Sequence, residues 1–261
     1  MVADKTYALV TGASSGIGKE MAILLAKEGR DVIITARNSA ALEELRAKIG
    51  GFCAMTVIPI TCDLGVPGGA DALIKALEEG GYKVCTLINN AGFGDYGAFA
   101  DADRAKTVSM LDLNVRALTE LTHHFLPKMI ERRHGRILNV ASVAAFVPGP
   151  LMSVYYATKH YVLAFTEGLA RELKGTGVTV TALCPGPTSS GFQEAAALGE
   201  VEFFNDRHLP TSKEVAKYGL EALRAKKVIA VHGVSNKVMT LLPRLLPRSV
   251  VRNLVYRIQK K

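Results

Sequence analysis

The chain has no tryptophan and only four cysteines among its 261 residues. Cys53, Cys62, Cys85 and Cys184 form no CxxC pair and no zinc-holding spacing, which argues against a metal ribbon and against a disulfide scaffold. Three of them lie in or beside apolar, strand-like runs, so buried free thiols in a reducing compartment are expected. No apolar run reaches the roughly 18 residues that a membrane-spanning helix needs. Met1 to Lys5 carries charge and leads straight into a strand, so no secretory leader is expected and a cytoplasmic setting is inferred. The six histidines include an adjacent pair, His123 and His124, that would face different directions on a helix, and no metal site is expected. Two local absences say more. The apolar run Asp31 to Ala36 ends without an acid, and nothing acidic occurs from Asn236 to Lys261.

What is present fits one α/β domain. Hydrophobic content of 49% and charged content of 21% are those of an ordinary globule with a full core. There is no repeat, linker or low-complexity tract. Strand-like and helical runs alternate. Strands are expected at Thr6 to Thr11, Asp31 to Ala36, Met55 to Ile60, Val84 to Asn89, Gly135 to Ala141, Val178 to Cys184 and Lys227 to Val231. Helices are expected at Lys19 to Gly29, Ser39 to Ile49 with Ser39 as cap, Ala70 to Glu79, Arg104 to Glu131 with a bend at Pro127, and Ser153 to Lys174. Such alternation predicts a doubly wound parallel sheet covered by helices on both faces.

Two stretches carry chemistry. Gly12-Ala13-Ser14-Ser15-Gly16-Ile17-Gly18 lies between the first strand and the first helix, an arrangement that lays a pyrophosphate on a helix N-terminus. Gly12 permits a tight turn, Gly16 lets the backbone approach phosphate, and Gly18 lets the helix pack close to the strand. Further on, Tyr155 and Lys159 stand one helical turn apart on a shared face. An ammonium near a phenol is expected to lower a pKa that is about 10 in the free side chain, preparing proton exchange with a carbonyl or alcohol oxygen. Ser142 ends the fifth strand, on the side where open α/β sheets hold their ligands.

Thr11-Gly12-x-x-x-Gly16-x-Gly18, Asn89-Asn90-Ala91-Gly92, Asn114, Ser142, Tyr155-x-x-x-Lys159 and Cys184-Pro185-Gly186-Pro187-Thr188 follow the order and spacing of the short-chain dehydrogenase/reductase superfamily, which the chain resembles over roughly residues 5 to 235. The resemblance implies a Rossmann-type sheet of seven strands in the order 3-2-1-4-5-6-7, within a single domain spanning residues 1–235. It implies a tetrad: Tyr155 as acid/base, Lys159 holding the nicotinamide ribose, Ser142 bonding the substrate oxygen, and Asn114 kinking the long helix and anchoring a relay water. Tyr156 stands one residue too late for this spacing. Ser14, Ser15 and Ile17 would join the glycines at the phosphates. Asp63 would contact adenine, and Asn89, Ala91 and Gly92 would line the adenosine side. Pro185 and Gly186 would border the nicotinamide, and Thr188 and Ser190 its carboxamide. A homodimer or homotetramer is implied as well.

The missing acid after Asp31 to Ala36 leaves Arg37 there, a planar cation suited to a 2′-phosphate, so NADP(H) is expected over NAD(H). Phe93, Ala144, Phe146, Val147, Pro148, Leu151 and Met152 are expected around the site, and an apolar substrate loop at about 190–212. Together they point to a small hydrophobic ketone or secondary alcohol. The branch most resembled holds hydroxysteroid dehydrogenases and 3-oxoacyl-thioester reductases. An acyl-carrier-protein or CoA thioester is therefore the alternative substrate, and a non-catalytic NADP(H)-sensing protein the alternative of another class. Residues 236–261 read as a basic amphipathic extension. Val250, Val251, Leu254, Val255 and Ile258 form its apolar stripe. Three partners suit it: the protein's own body or another subunit, an anionic membrane surface, or an acidic carrier. Nucleic acid is not expected.

Overall fold

The computed structural model describes residues 5–189, 209–241, 243 and 245–260. Its strands are β1 (Thr6–Thr11), β2 (Asp31–Ala36), β3 (Val57–Thr61), β4 (Lys83–Asn89), β5 (Gly135–Val140), β6 (Val178–Cys184) and β7 (Ile229–Val231). All pair in parallel, in the order β3-β2-β1-β4-β5-β6-β7. The fold class and strand order are those expected.

The strands are apolar on both faces because both faces are covered. Val10, Ile34, Ile88 and Leu138 point to one side, where they meet α1 (Gly16–Lys27), α2 (Ser39–Gly50) and α7 (Ser212–Arg224). Their neighbours Leu9, Ile33, Leu87 and Ile137 point to the other, toward α3 (Gly69–Glu79), α5 (Leu118–Glu131) and α6 (Ser153–Glu172). The chain order reverses between β1 and β4, which opens a crevice at the strand C-termini.

Local chemistry moves several expected boundaries. The cap of α2 is Asn38, not Ser39: its side chain accepts from the Ala41 N–H at 3.0 Å, one residue earlier than expected. The long helix is interrupted around Asn114, where the family resemblance put its kink, and not at Pro127. Pro127 sits inside α5, whereas the break is a π-helical turn, Asp112–Ala117, between α4 (Arg104–Leu111) and α5. A π turn carries one extra residue and is frequent at functional sites.

The chain ends in α8 (Val234–Leu241) and α9 (Arg248–Gln259). The expected substrate loop, with Ser190, lies largely outside the described residues, as do Arg244 and Lys261. Cys53, Cys62, Cys85 and Cys184 are all free; the last two are fully buried and the first two half-buried.

Candidate functional site

A cavity of about 720 Å³ runs along the crevice. One end is the turn after β1. Gly12 and Gly16 take positive φ (65° and 56°), which only glycine adopts at little cost. A Cβ on Gly12 would stand 2.8 Å from Ala91 Cα, and one on Gly18 would stand 2.3 Å from Asn90 Nδ2. The turn is thus pressed against the end of β4. Thr11 and Asn90 fasten it there. Thr11 Oγ1 accepts from the N–H groups of Asn90 and Ala91, each at 3.0 Å. Asn90 Nδ2 donates to Thr11 O at 2.8 Å and Gly12 O at 3.1 Å. The first turn of α1 holds no acid of its own, and Gly16 and Ile17 bring its N–H groups and the positive end of its dipole to the cavity.

Gly12, Ser14, Ser15, Gly16 and Ile17 line this end, and Arg37 and Asp63 border it. Arg37 is exposed at the β2 terminus and forms no ion pair with a described residue. Asp63 accepts from the Gly65 N–H at 2.8 Å, which holds its carboxylate in a local turn. Ala91 and Gly92 line the cavity as expected.

Asn89 does not line it. Its amide donates to Thr122 Oγ1 and Asn139 Oδ1 beneath the sheet, and it is the neighbour, Asn90, that faces the cavity. Successive residues at a strand end point to opposite faces, so a one-residue change of phase exchanges their roles.

The other end is built from β5 and α6. Ser142 caps a short 3₁₀ turn (Val143–Phe146), accepting from the Ala144 N–H at 3.1 Å. Tyr155 and Lys159 face it from α6, and both are nearly inaccessible to solvent. Lys159 Nζ donates to Val140 O at 2.8 Å and lies 5.7 Å from the centre of the Tyr155 ring.

The expected lowering of the phenol pKa is overturned. Burial pushes Tyr155 up, a hydrogen bond with Ser142 opposes that rise, and Tyr156 adds to it. Burial also pulls Lys159 down to about 8, with the nearby Cys184 acting the other way. At both groups desolvation outweighs the contacts that oppose it. At neutral pH the site therefore holds a protonated phenol.

Asn114 is buried behind this end, outside the cavity lining, at the centre of the π turn. Its Nδ2 donates to Phe93 O at 2.9 Å and Thr158 Oγ1 at 3.1 Å, and its Oδ1 accepts from the Phe93 N–H at 3.2 Å. It ties the loop after β4 to the helix bearing Tyr155. Gly92 lies in the same corner, where a Cβ would come 2.9 Å from Asn114 Oδ1.

Pro185, Gly186 and Thr188 close the floor after β6. Of the expected apolar surround, Phe93, Ala144, Val147 and Met152 line the cavity. Phe146 packs instead into the body with Ala141, Ala145 and Val162, and Pro148 and Leu151 lie outside the lining.

The remaining wall comes from the tail, which packs on the protein's own body, one of the partners expected for its stripe, and does so over the crevice itself. Thr240 of α8 and Val251, Leu254, Val255, Ile258 and Gln259 of α9 all line the same cavity. Gln259 is buried, and its Nε2 donates to the Tyr156 hydroxyl. Tyr96 Oη donates to Gln259 O at 2.6 Å. The hydroxyl of Tyr156 is thus occupied by the tail, and burial lifts its pKa to about 12. The apolar stripe of α9 is legible in sequence, but no pattern there shows that the stripe covers the crevice.

A parallel sheet with a glycine-lined crevice at its switch point and a Tyr–Lys–Ser cluster beside it defines a nucleotide-dependent oxidoreductase. The sequence profile of the short chain dehydrogenase family matches residues 6–200, and the chain belongs to that family.

Solved structures agree in fold. A short-chain dehydrogenase from Sphingobium yanoikuyae in complex with NADPH is 28% identical, with a TM-score of 0.82 over 92% of this chain and 93% of that one. The bulky-bulky ketone specific alcohol dehydrogenase from Comamonas testosteroni is 27% identical, with a TM-score of 0.78 over 92% of each chain. A short chain dehydrogenase/reductase from Burkholderia phymatum in complex with NAD is 25% identical, with a TM-score of 0.82 over 93% of this chain and 94% of that one.

Proposed function

We propose that the protein is an NADP(H)-dependent oxidoreductase that interconverts a hydrophobic ketone and its secondary alcohol. The observation that carries this is one cavity with two ends. A glycine turn and an exposed arginine stand at one end, and Tyr155, Lys159 and Ser142 at the other. The residues fit a dinucleotide. Gly12 and Gly18 let the turn sit against the end of β4 where a Cβ would clash, the acid-free first turn of α1 offers its N–H groups, and Arg37 offers a cation where an acid would select NAD(H). NADPH, when bound, supplies the hydride. The neighbours named above include one complex with each cofactor, so the preference rests on Arg37 and Ala36 of this chain.

In this reading Tyr155 is the acid/base. A phenol raised by burial keeps its proton until a carbonyl oxygen gains charge, which suits reduction. Ser142 donates to that same oxygen. Lys159, held by Val140 O, keeps positive charge beside the phenol at neutral pH and would hold the ribose of a bound nucleotide. Asn114 positions the wall through Phe93 and Thr158. The apolar sides contributed by Met152, Val147 and the stripe of α9 favour a bulky, poorly hydrated substrate.

The test is consumption of NADPH and of NADH against a panel of aliphatic, aromatic and polycyclic ketones, with a 3-oxoacyl thioester included. Turnover of ketones with NADPH ahead of NADH is expected. Faster turnover of the thioester would transfer the reading to acyl reduction. Cofactor binding with no turnover across the panel would make the chain a sensor rather than an enzyme.

A further inference from the structure

The apolar stripe of α9 is only partly used by the cavity. Val251 is buried, but Val250, Leu254 and Ile258 form an i, i+4, i+8 row that stays 41–48% exposed. Leu254 and Ile258 also line the cavity, so this edge belongs both to the interior and to the outer surface.

The preceding helix repeats the pattern. Val234, Val238 and Leu241 share one face of α8, and all three are exposed. Leu245, between the helices, is 83% exposed. Scattered exposed leucines are ordinary, but two consecutive helices that each turn an apolar row outward are not.

The same segment carries Lys237, Arg248, Arg252, Arg257 and Lys260, all exposed, and no acid occurs from Asn236 to Lys261. None of these five makes an ion pair with a described residue. Apolar rows interleaved with cations that pair with no described residue are what an interfacial helix presents to lipid headgroups. A second copy of this chain would bring the same positive charge against itself, which disfavours that occupant.

We infer that α8 and α9 dock on an anionic lipid surface, with their apolar rows in the headgroup region and their arginines and lysines on the lipid phosphates. Docking sets the edge of the cavity formed by Leu254 and Ile258 against the bilayer. A ketone dissolved in lipid then reaches Tyr155 with less exposure to water. This last step rests on the proposed function; the docking itself does not.

Co-sedimentation of the full chain with vesicles tests it, and it is read without turnover, so its failure is separate from failure on the ketone panel. Vesicles of phosphatidylcholine with phosphatidylglycerol are compared with vesicles of phosphatidylcholine alone. Binding to the anionic vesicles at low salt, release as salt rises, and little binding to the neutral ones are expected. Two separate variants, Arg252→Glu with Arg257→Glu and Val238→Ser with Leu245→Ser, should each lower the bound fraction by about tenfold or more. None of these four side chains lines the cavity.

Protein that stays in the supernatant with anionic vesicles at low salt overturns the inference. So does binding that neither variant weakens. A dimer in sedimentation equilibrium that Val238→Ser with Leu245→Ser dissolves would give the surface to a second copy instead.

Discussion

Gly18→Ala is the smallest change that should disturb the cofactor end of the site. The added Cβ would stand 2.3 Å from Asn90 Nδ2 and 2.5 Å from Gly12 O. Neither atom yields easily. Gly12 O is backbone, and the Asn90 amide is held by Thr11 O and Gly12 O. The start of α1 must therefore back away from the turn. Overpacking of this kind costs about 1–3 kcal/mol. In a chain of this size each kcal/mol lowers Tm by about 2–4 °C, so a fall of roughly 2–12 °C is expected.

Retreat of the helix N-terminus also weakens the phosphate contact, so NADP(H) affinity should fall with stability. Asn90→Ala alone forfeits two hydrogen bonds of about 1 kcal/mol each. Combined with Gly18→Ala it also removes the shorter of the two clashes. The double variant should then lose less than the sum of the singles, by about 0.5 kcal/mol or more. Denaturant unfolding and cofactor titration on the four proteins measure this. Gly18→Ala with unchanged midpoint and unchanged cofactor affinity would refute the close packing of the turn against β4.

Two further predictions concern charge. Ala36→Asp with Arg37→Ala removes a cation and adds an acid at the end of β2. A charge-assisted bond of about 1.5–3 kcal/mol to a 2′-phosphate is lost, so the ratio of kcat/KM for NADPH to that for NADH should fall by about 10- to 100-fold; an unchanged ratio would mean the phosphate is read elsewhere.

Lys159 gives a pH signature. Its folded pKa, about 8, lies below its ordinary 10.5, so the unfolded chain holds more protons between those values and this group's contribution to stability rises with pH there. Below about 8 the penalty of burying the ammonium is present in full. Relative to Lys159→Met, the wild type should therefore gain stability between about pH 8 and 10.5, read as the difference in unfolding free energy across that window. A flat difference would show that the ammonium is not desolvated.

The sequence displayed the parts whose signals are local. The glycine turn, the Tyr155–Lys159 spacing and the alternation of strands with helices all sit within short windows, and all stand where expected. The misses come from non-local physics. Asn89 and Asn90 differ only in strand phase, which the paired strand and the helix behind it decide. The pKa direction at Tyr155 depends on how deeply α6 is buried, which i, i+4 spacing does not express. The kink expected at Asn114 is there as a π turn, whereas α5 runs on through Pro127, where a bend was also expected. The covering of the crevice by α9 is a tertiary fact. Its apolar stripe was visible, but Gln259 reaching Tyr156 across 103 residues was not.

The central claim is that Tyr155 gives and takes the proton while its neighbour does not. The direct measurement is the single-turnover rate of NADPH oxidation by Tyr155→Phe and by Tyr156→Phe on a ketone the wild type reduces, with NADPH affinity measured beside it. Tyr155→Phe should lose about 10²–10⁴-fold in rate and keep its cofactor affinity, because only the proton is removed. Tyr156→Phe loses its bond from Gln259 and should show a much smaller change. Turnover that survives in Tyr155→Phe, or that disappears only in Tyr156→Phe, would contradict the account.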